Sequence, residues 1–274
     1  MKCYLLPLCV GAVLCAALGA EVDDRFTAED VAFTAACDGT TQHYVVMLPR
    51  GFKPDARHHV LVALHGHGSD RWQFAGGAAP TGKAARDVAC QRDLILILPD
   101  YRARTSWMGP AAEADTCQII AEVKRRFRVD KVFLCGGSMG GSSALTFAVL
   151  HPELIDGVAS MNGTANHLEY TGFQDAIAES FGGTKTEIPE EYKKRSAEYW
   201  PERFTMPVGI TASGQDTIVP PESVRRLAAV LEKLDRRVLV IYREDVGHTS
   251  KPEDVCQVLD FVVDRATTEE PTRP

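Results

Sequence analysis

The sequence predicts one α/β domain with a doubly wound, mostly parallel β-sheet. Its 274 residues suit a single mid-sized domain, because such domains often reach about 200–250 residues. Apolar runs alternate with segments of helical periodicity, and the middle runs are apolar at every position, which is typical of strands buried on both faces. The repeated strand–helix–strand order favours parallel strands joined by right-handed crossovers.

Seven strands and five helices are predicted within this domain. The strands comprise residues 44–48, 60–64, 94–98, 131–135, 157–161, 208–212 and 238–242. The helices comprise residues 82–91, 113–127, 142–150, 222–234 and 252–266. In the second helix, Ile119, Val123 and Phe127 recur at helical spacing with charged residues between them, so one side of the helix is suited to cover the sheet.

Residues 164–203 interrupt this alternation between the fifth and sixth predicted strands. The aromatic residues of the segment, set among many charged ones, include Tyr170, Phe173, Tyr199 and Trp200. We expect a small cap-like insertion, helical in part, over the edge at which the parallel strands end. Residues 21–266 then form one domain, and residues 267–274 form a polar tail that we expect to fray.

Residues 1–20 have the organisation of a secretory signal peptide. Lys2 is followed by an uncharged, mostly apolar stretch, by small residues and then by an acidic segment that begins at Glu21. We therefore expect cleavage after Ala20 and a secreted or periplasmic protein without a stable membrane span. The alternative is a membrane anchor, because about 18 apolar residues are just long enough to cross a bilayer.

The charge distribution argues against a nucleic-acid partner. The chain has 37 acidic and 30 basic residues, a formal net charge of -7, and no basic run longer than residues 124–126. Phosphate backbones are bound by concentrated positive surfaces, and no such concentration occurs in this sequence.

Five cysteines remain once the predicted signal peptide is removed, and this odd number leaves at least one thiol unpaired in an exported chain. They are Cys37, Cys90, Cys117, Cys135 and Cys256. One or two disulfides are compatible with this set, and the sequence does not decide the pairing. No Cys-x-x-Cys spacing occurs, so a zinc site is not predicted.

The strongest functional pattern is Gly136–Gly141, with the sequence Gly-Gly-Ser-Met-Gly-Gly. It follows a predicted strand and precedes a predicted helix, which is the context that the Gly-x-Ser-x-Gly nucleophile motif requires. A tight turn there lifts the serine hydroxyl above the sheet, and the helix N-terminus favours developing negative charge. We predict Ser138 as the nucleophile; a glycine turn with a purely structural role is the alternative.

A serine hydroxyl needs a base, and this motif is followed along the chain by the acid and then by the histidine. Three histidines follow the serine: His151, His167 and His248. His248 follows a predicted strand directly before the last helix, so we expect it at the same edge of the sheet as Ser138. His151 ends a helix and His167 lies in the insertion, which makes His248 the predicted base.

Asp216 is the predicted acid of this triad. It follows the predicted strand 208–212 and therefore ends at the same edge of the sheet. Its carboxylate is placed to accept an N–H from His248 and to stabilise the imidazolium. Glu244 and Asp245 are the alternatives, but residues so close to His248 on one loop rarely reach its far ring nitrogen, and we expect both to be solvated.

A second glycine-containing segment, Leu64–Gly68, directly follows a predicted buried strand. Acyl transfer needs two backbone N–H donors for the oxyanion, one from the residue after the nucleophile and one from this loop. We predict Met139 and His67 as the donors, with Gly66 as a further candidate. A metal site at His65 and His67 lacks a third ligand nearby and is not expected.

Trp107 lies in a loop that follows the predicted strand 94–98, on the same side of the sheet as Ser138. Its ring is suited to stack on a sugar or an aromatic acyl group of a substrate. A tryptophan in a loop equally serves to cover a core, and the sequence leaves both interpretations open.

These elements, in this order, resemble the α/β-hydrolase superfamily over residues 40–266. Within it the chain is similar to the serine esterases that include feruloyl esterases, acetylxylan esterases and polyhydroxybutyrate-depolymerase-like proteins. The similarity lies in Leu64–Gly68, in Lys131–Gly141 and in the loops of Asp216 and His248. It implies the α/β-hydrolase fold and the hydrolysis of acetyl or feruloyl esters, often on plant polysaccharides.

The stretch Pro207–Pro220 also resembles the catalytic domains of prolyl-oligopeptidase-type peptidases. We expect no propeller domain of the kind those peptidases contain, which favours an esterase. The hypothesis is two-step acyl transfer through Ser138 from a small ester or an acylated polysaccharide, with no cofactor. A serine peptidase with the same triad and a non-catalytic polysaccharide-binding protein on a hydrolase fold are the alternatives.

Overall fold

A computed structural model describes residues 21–268, which form an eight-stranded β-sheet with helices on both faces. The strands are β1 (Phe26–Thr34), β2 (Thr41–Pro49), β3 (His58–Leu64), β4 (Ile95–Pro99), β5 (Val129–Gly137), β6 (Gly157–Met161), β7 (Val208–Ser213) and β8 (Val238–Arg243). The helices are α1 (Pro80–Gln91), α2 (Pro110–Arg126), α3 (Met139–Leu150), α4 (Gln174–Phe181), α5 (Pro189–Lys194), α6 (Glu222–Lys233) and α7 (Pro252–Thr267). Two short 3-10 turns, Ala197–Tyr199 and Pro201–Arg203, follow α5.

The strand order across the sheet is β1-β2-β4-β3-β5-β6-β7-β8. β1 pairs with β2, and β2 with β4, in antiparallel orientation, whereas every neighbouring pair from β4 to β8 is parallel. The predicted doubly wound, mostly parallel sheet is confirmed. Because parallel strands end at one edge of a sheet, the loops that follow β3, β5, β6, β7 and β8 meet at that edge.

All seven predicted strands are present, whereas β1 is an eighth strand that the sequence pattern does not predict. Of its residues, only Phe26 and Phe33 are buried. A strand at the edge of the sheet with so few apolar side chains makes no continuous apolar run. It is held instead by backbone hydrogen bonds to β2, and such bonds leave no pattern of side chains in the sequence.

Two apolar layers cover opposite faces of the sheet. Helices α1 and α7 pack against one face, and helices α2, α3 and α6 pack against the other. Alternate residues of β5 point to the two sides, so that Phe133 joins the layer of α1 and α7 while Leu134 joins the layer of α2, α3 and α6. The end of β5, where the predicted nucleophile lies, is thus anchored from both sides.

The insertion between β6 and β7 contains α4, α5 and the two 3-10 turns, and is helical in part, as the sequence predicts. The Tyr170 hydroxyl donates to the Ile218 carbonyl (2.9 Å), and the ring of Phe173 packs on that of His67 with centroids 4.2 Å apart. The insertion therefore contacts the loops that follow β7 and β3, at the edge where the parallel strands end.

The structure describes only part of the sequence at each end of the chain. The predicted signal peptide, residues 1–20, lies outside the described residues, as do residues 269–274. Helix α7 ends at Thr267, whose hydroxyl donates to the Val263 carbonyl (2.8 Å), and most of the predicted polar tail lies outside the described residues. Between residues 21 and 268, no helix is both long and apolar enough to cross a bilayer.

All five cysteines within residues 21–268 are free thiols. Cys135 is fully buried in β5, and burial raises the pKa of its thiol to about 12, as for a small core residue. The disulfides that the sequence left possible among these five cysteines are therefore not formed.

Replacing Leu134 by alanine is expected to lower the free energy of unfolding by about 2–5 kcal/mol, because truncation of a fully buried leucine leaves a cavity. Leu234→Ala is the matched control: that side chain is 45% exposed, and we expect a change below about 0.5 kcal/mol. Urea unfolding followed by circular dichroism measures both. Equal losses of unfolding free energy in the two variants would contradict the central position of β5 in the core.

Candidate active site

The turn between β5 and α3 holds Ser138 in an unusual backbone conformation. Its φ of 57° and ψ of -121° lie outside the regions that residues with side chains favour. The Ser138 N–H donates to the Met161 carbonyl (2.8 Å), and the Ser142 N–H donates to the Ser138 carbonyl (3.0 Å). Backbone strain of this kind is typical of a nucleophile turn, and here neighbouring elements hold it in place.

Gly140 allows this turn to approach β3 closely. A Cβ atom at position 140 would lie 2.1 Å from the Leu64 carbonyl oxygen, a separation that real side chains do not show. The missing side chain therefore brings the Ser138 turn next to the loop that follows β3.

Two hydrogen bonds join the three predicted triad residues. His248 Nε2 lies 2.8 Å from Ser138 Oγ, and His248 Nδ1 lies 2.6 Å from Asp216 Oδ2. When Nδ1 carries the proton and donates it to Asp216, Nε2 is left to accept the proton of the serine hydroxyl. Residues that end three different parallel strands thus converge into an arrangement able to activate a serine.

The environment of Asp216 keeps its carboxyl group ionised. Burial alone raises the pKa of this carboxyl, but hydrogen bonds from His248 and from the N–H groups of Val219 (2.9 Å) and Ile218 (3.0 Å) outweigh burial and hold the pKa below its usual value. An ionised Asp216 can stabilise the imidazolium that forms when His248 takes a proton.

Asn162 belongs to the site although no motif points to it. It follows β6 and has a φ of 50°, a conformation that asparagine adopts more readily than most residues. Its Nδ2 donates to Ser213 Oγ (2.8 Å) and to Asp216 Oδ2 (3.4 Å), while its Oδ1 accepts the hydroxyl groups of Thr211 and Ser250. The one sequence feature that marks it is its place directly after a predicted strand, at the edge shared by the triad.

Two of the predicted oxyanion donors, the N–H groups of Met139 and His67, have no hydrogen-bond partner among residues 21–268, as such a donor requires. Met139 is the first residue of α3, and the first N–H groups of a helix have no acceptor within it. The His67 N–H makes no hydrogen bond to another group of residues 21–268. Gly66 lines the cavity of Ser138, but its N–H donates to Gln73 Oε1 (2.7 Å), so this predicted donor is already paired.

Trp107 does not line the surface of the site. Its side chain is 0% exposed, and its Nε1–H donates to His67 Nδ1 (3.2 Å). The expectation that this ring stacks on a substrate is therefore wrong, and the alternative of a core-covering tryptophan is the one observed. The exposed aromatic ring beside His67 is that of Phe173, which is 39% exposed.

The other candidate histidines and acids lie outside the triad. His151 pairs with Glu113 (2.8 Å), and His167 is fully buried, where desolvation lowers its pKa to about 3. Glu244 and Asp245 are exposed, as expected from the sequence.

A cavity of about 160 Å³ opens beside Ser138 and His248, and Thr81 of α1 is among the residues that line it. It is smaller than the pockets of about 300–1,000 Å³ that hold drug-sized ligands, so it suits a small group of atoms. A larger groove of about 550 Å³ between α2 and α5 contains no triad residue.

Sequence comparison agrees with this geometry. Residues 111–267, more than half of the chain, match the model of the prolyl oligopeptidase family. This chain belongs to the prolyl oligopeptidase family. It is a serine hydrolase with the α/β-hydrolase fold, as its resemblance to that superfamily implies. No curated protein sequence matches the chain.

Solved structures share the fold at low sequence identity. S-formylglutathione hydrolase from Agrobacterium tumefaciens superposes with a TM-score of 0.69 at 15% identity, over 91% of this chain and 99% of its own. A ferulic acid esterase superposes with a TM-score of 0.66 at 15% identity, over 88% of this chain and 99% of its own. Acylaminoacyl peptidase from Pyrococcus horikoshii gives 0.68 at 15% identity, over 91% of this chain and 43% of the other. The chain spans 35–44% of the length of the peptidases it matches, and similarity at this identity establishes the fold alone.

Asp216→Asn is expected to lower kcat for p-nitrophenyl acetate by about a thousandfold or more, because an amide cannot hold His248 in the required tautomer. Asp245→Asn makes the same chemical change on an exposed residue of the neighbouring loop and should leave kcat unchanged. Steady-state kinetics of both variants test the assignment. A larger loss of kcat in Asp245→Asn than in Asp216→Asn would show that Asp216 is not the acid of the triad.

Proposed function

We propose that this protein is a serine esterase that hydrolyses carboxylic esters through a covalent acyl-enzyme. The observation that carries the proposal is the pair of hydrogen bonds that links Ser138 Oγ through His248 to the buried Asp216. The N–H groups of Met139 and His67 supply the donors that an ester carbonyl oxygen needs as it becomes negatively charged.

The reaction follows from this arrangement in two steps. His248 Nε2 takes the proton of Ser138 as the serine oxygen bonds to the ester carbonyl carbon, and the alcohol then leaves with a proton from His248. A water molecule, activated by His248 in the same way, attacks the acyl-enzyme. The carboxylic acid is released and Ser138 regains its proton.

The proposed substrate is a short acyl ester, with acetyl or feruloyl groups on plant polysaccharide as the candidate class. The small cavity beside Ser138 and His248 supports an acetyl group in preference to the longer feruloyl group. An ester hydrolase is further supported by shape, since this chain covers 99% of S-formylglutathione hydrolase and of a ferulic acid esterase. Acetylated xylan, feruloylated arabinoxylan and p-nitrophenyl esters compared at equal concentrations would rank these substrates.

A serine peptidase is the second candidate function, and family membership is the observation that favours it. The similarity to the Pyrococcus horikoshii acylaminoacyl peptidase points the same way. A peptidase should cleave acylated peptide p-nitroanilides faster than matched esters once leaving-group reactivity is allowed for. An esterase gives the opposite order.

Ser138→Ala is expected to abolish turnover of p-nitrophenyl acetate and labelling by a fluorophosphonate probe, because no other group provides the nucleophile. Ser143→Ala is the matched control: Ser143 lies on α3 and makes no hydrogen bond to His248 or Asp216, the partners that activate Ser138. Its activity should equal that of the wild type. Full activity in Ser138→Ala would refute the proposal, and a wild-type protein that the probe does not label would favour a non-catalytic binding protein.

We also propose that residues 1–20 direct export and are removed. The full chain produced in a host with a secretory pathway should be recovered outside the cytoplasm with Glu21 as its first residue, as determined by N-terminal sequencing. Leu14→Arg places a charge in the apolar stretch and should leave an unprocessed cytoplasmic protein. A secreted chain that retains Met1, or a processed Leu14→Arg chain, would contradict the proposal.

A further inference from the structure

We propose that Trp107 is a positioning residue for the oxyanion site. Its indole N–H holds the imidazole of His67 and thereby fixes the His67 backbone N–H, the second of the two donors proposed for the oxyanion. This inference rests on the esterase function proposed above and concerns a residue that does not itself touch the substrate.

The hydrogen bond between the two side chains defines the state of His67. Trp107 Nε1 can only donate, so His67 Nδ1, 3.2 Å away, must accept. The imidazole is therefore neutral and carries its proton on Nε2. Burial lowers the pKa of His67, which agrees with a neutral ring. The exposed ring of Phe173, with its centroid 4.2 Å from that of His67, packs against the same imidazole.

The backbone around Trp107 is strained and is held by the insertion. Trp107 and Met108 have φ angles of 45° and 59°, in the left-handed region that bulky residues rarely occupy. Arg195, which is 1% exposed, donates through Nη1 to the Met108 carbonyl (2.7 Å), and the Gly109 N–H donates to Ser180 Oγ (3.1 Å). Both partners come from the insertion, which thus maintains a conformation that directs the indole toward His67.

The loop of His67 is also fixed at its two ends by hydrogen bonds to the backbone of His65 and Gly68, whereas Trp107 contacts its centre. The Tyr101 hydroxyl donates to the His65 carbonyl (2.6 Å), and the Gly68 N–H donates to the Arg104 carbonyl (2.8 Å). Neither bond involves His67 itself, and its backbone N–H has no acceptor within residues 21–268. Between these anchors the hydrogen bond from Trp107 sets the orientation of the His67 side chain, against which the Phe173 ring also packs.

The expected signature is a loss of kcat with little change in KM. An oxyanion donor acts on charge that develops only in the transition state, so a displaced donor weakens the transition state more than the bound ester. A residue that only supported the fold would instead lower the amount of active protein and leave the kinetics of the remaining molecules unchanged.

The first experiment compares Trp107→Phe with Trp200→Phe on p-nitrophenyl acetate. Trp200 is the matched control, because its indole N–H donates to the Lys193 carbonyl and does not lead to His67. With active sites counted by fluorophosphonate labelling, Trp107→Phe should lower kcat by about tenfold to a hundredfold. KM should stay near the wild-type value, and Trp200→Phe should match the wild type. A wild-type kcat in Trp107→Phe would overturn the inference while leaving the esterase function intact, whereas an inactive wild type would refute both.

The second experiment changes the half-buried partner, and its comparison of two His67 variants remains decisive if Trp107→Phe does not fold. His67→Asn keeps a side-chain acceptor for the indole N–H and should have a higher kcat than His67→Leu, which keeps the backbone N–H but lacks the acceptor and should lose about as much as Trp107→Phe. The double variant Trp107→Phe/His67→Leu should be no slower than the slower single variant, since both remove one interaction. Equal rates in the two His67 variants, or losses that multiply in the double variant, would overturn the inference.

Discussion

The close approach of the Ser138 turn to the end of β3 is the constraint on which the site depends. It requires a residue without a side chain at Gly140, because a Cβ atom there would lie 2.1 Å from the Leu64 carbonyl oxygen. This contact places the nucleophile beside the loop that carries His67. The parallel order of the remaining strands then brings Asp216 and His248 to the same edge. The geometry of the triad thus depends on how closely the turn after β5 can approach the end of the neighbouring strand β3.

Much of this arrangement could be predicted because it is encoded locally. The buried strands appear as continuous apolar runs, and Ser138 lies in a motif whose strand–turn–helix context is itself visible. The order of Asp216 and His248 along the chain follows from the order of the strands they end. The edge strand β1 escapes such reasoning, because it is held mainly by backbone hydrogen bonds and has few buried side chains.

The remaining features depend on contacts between distant segments, which no local pattern contains. Trp107 looks exposed because it lies in a loop, yet the insertion covers that loop and buries the ring completely. Asn162 resembles an ordinary loop residue, and only its bond to Asp216 reveals its place in the site. The substrate is set by such contacts as well, which is why the sequence alone indicates a reaction class more firmly than a substrate.

The wide separation of the triad along the chain has a consequence for refolding. Ser138 and His248 are 110 residues apart in sequence and meet only when β8 has joined the sheet. A partly assembled intermediate that ends at β6 can hold most of the native secondary structure and still lack both the acid and the base. Since all five cysteines in residues 21–268 are free thiols, no oxidation step accompanies this assembly. Regain of catalytic turnover after dilution from denaturant therefore reports the docking of β7 and β8 with the rest of the sheet, which recovery of circular dichroism alone does not.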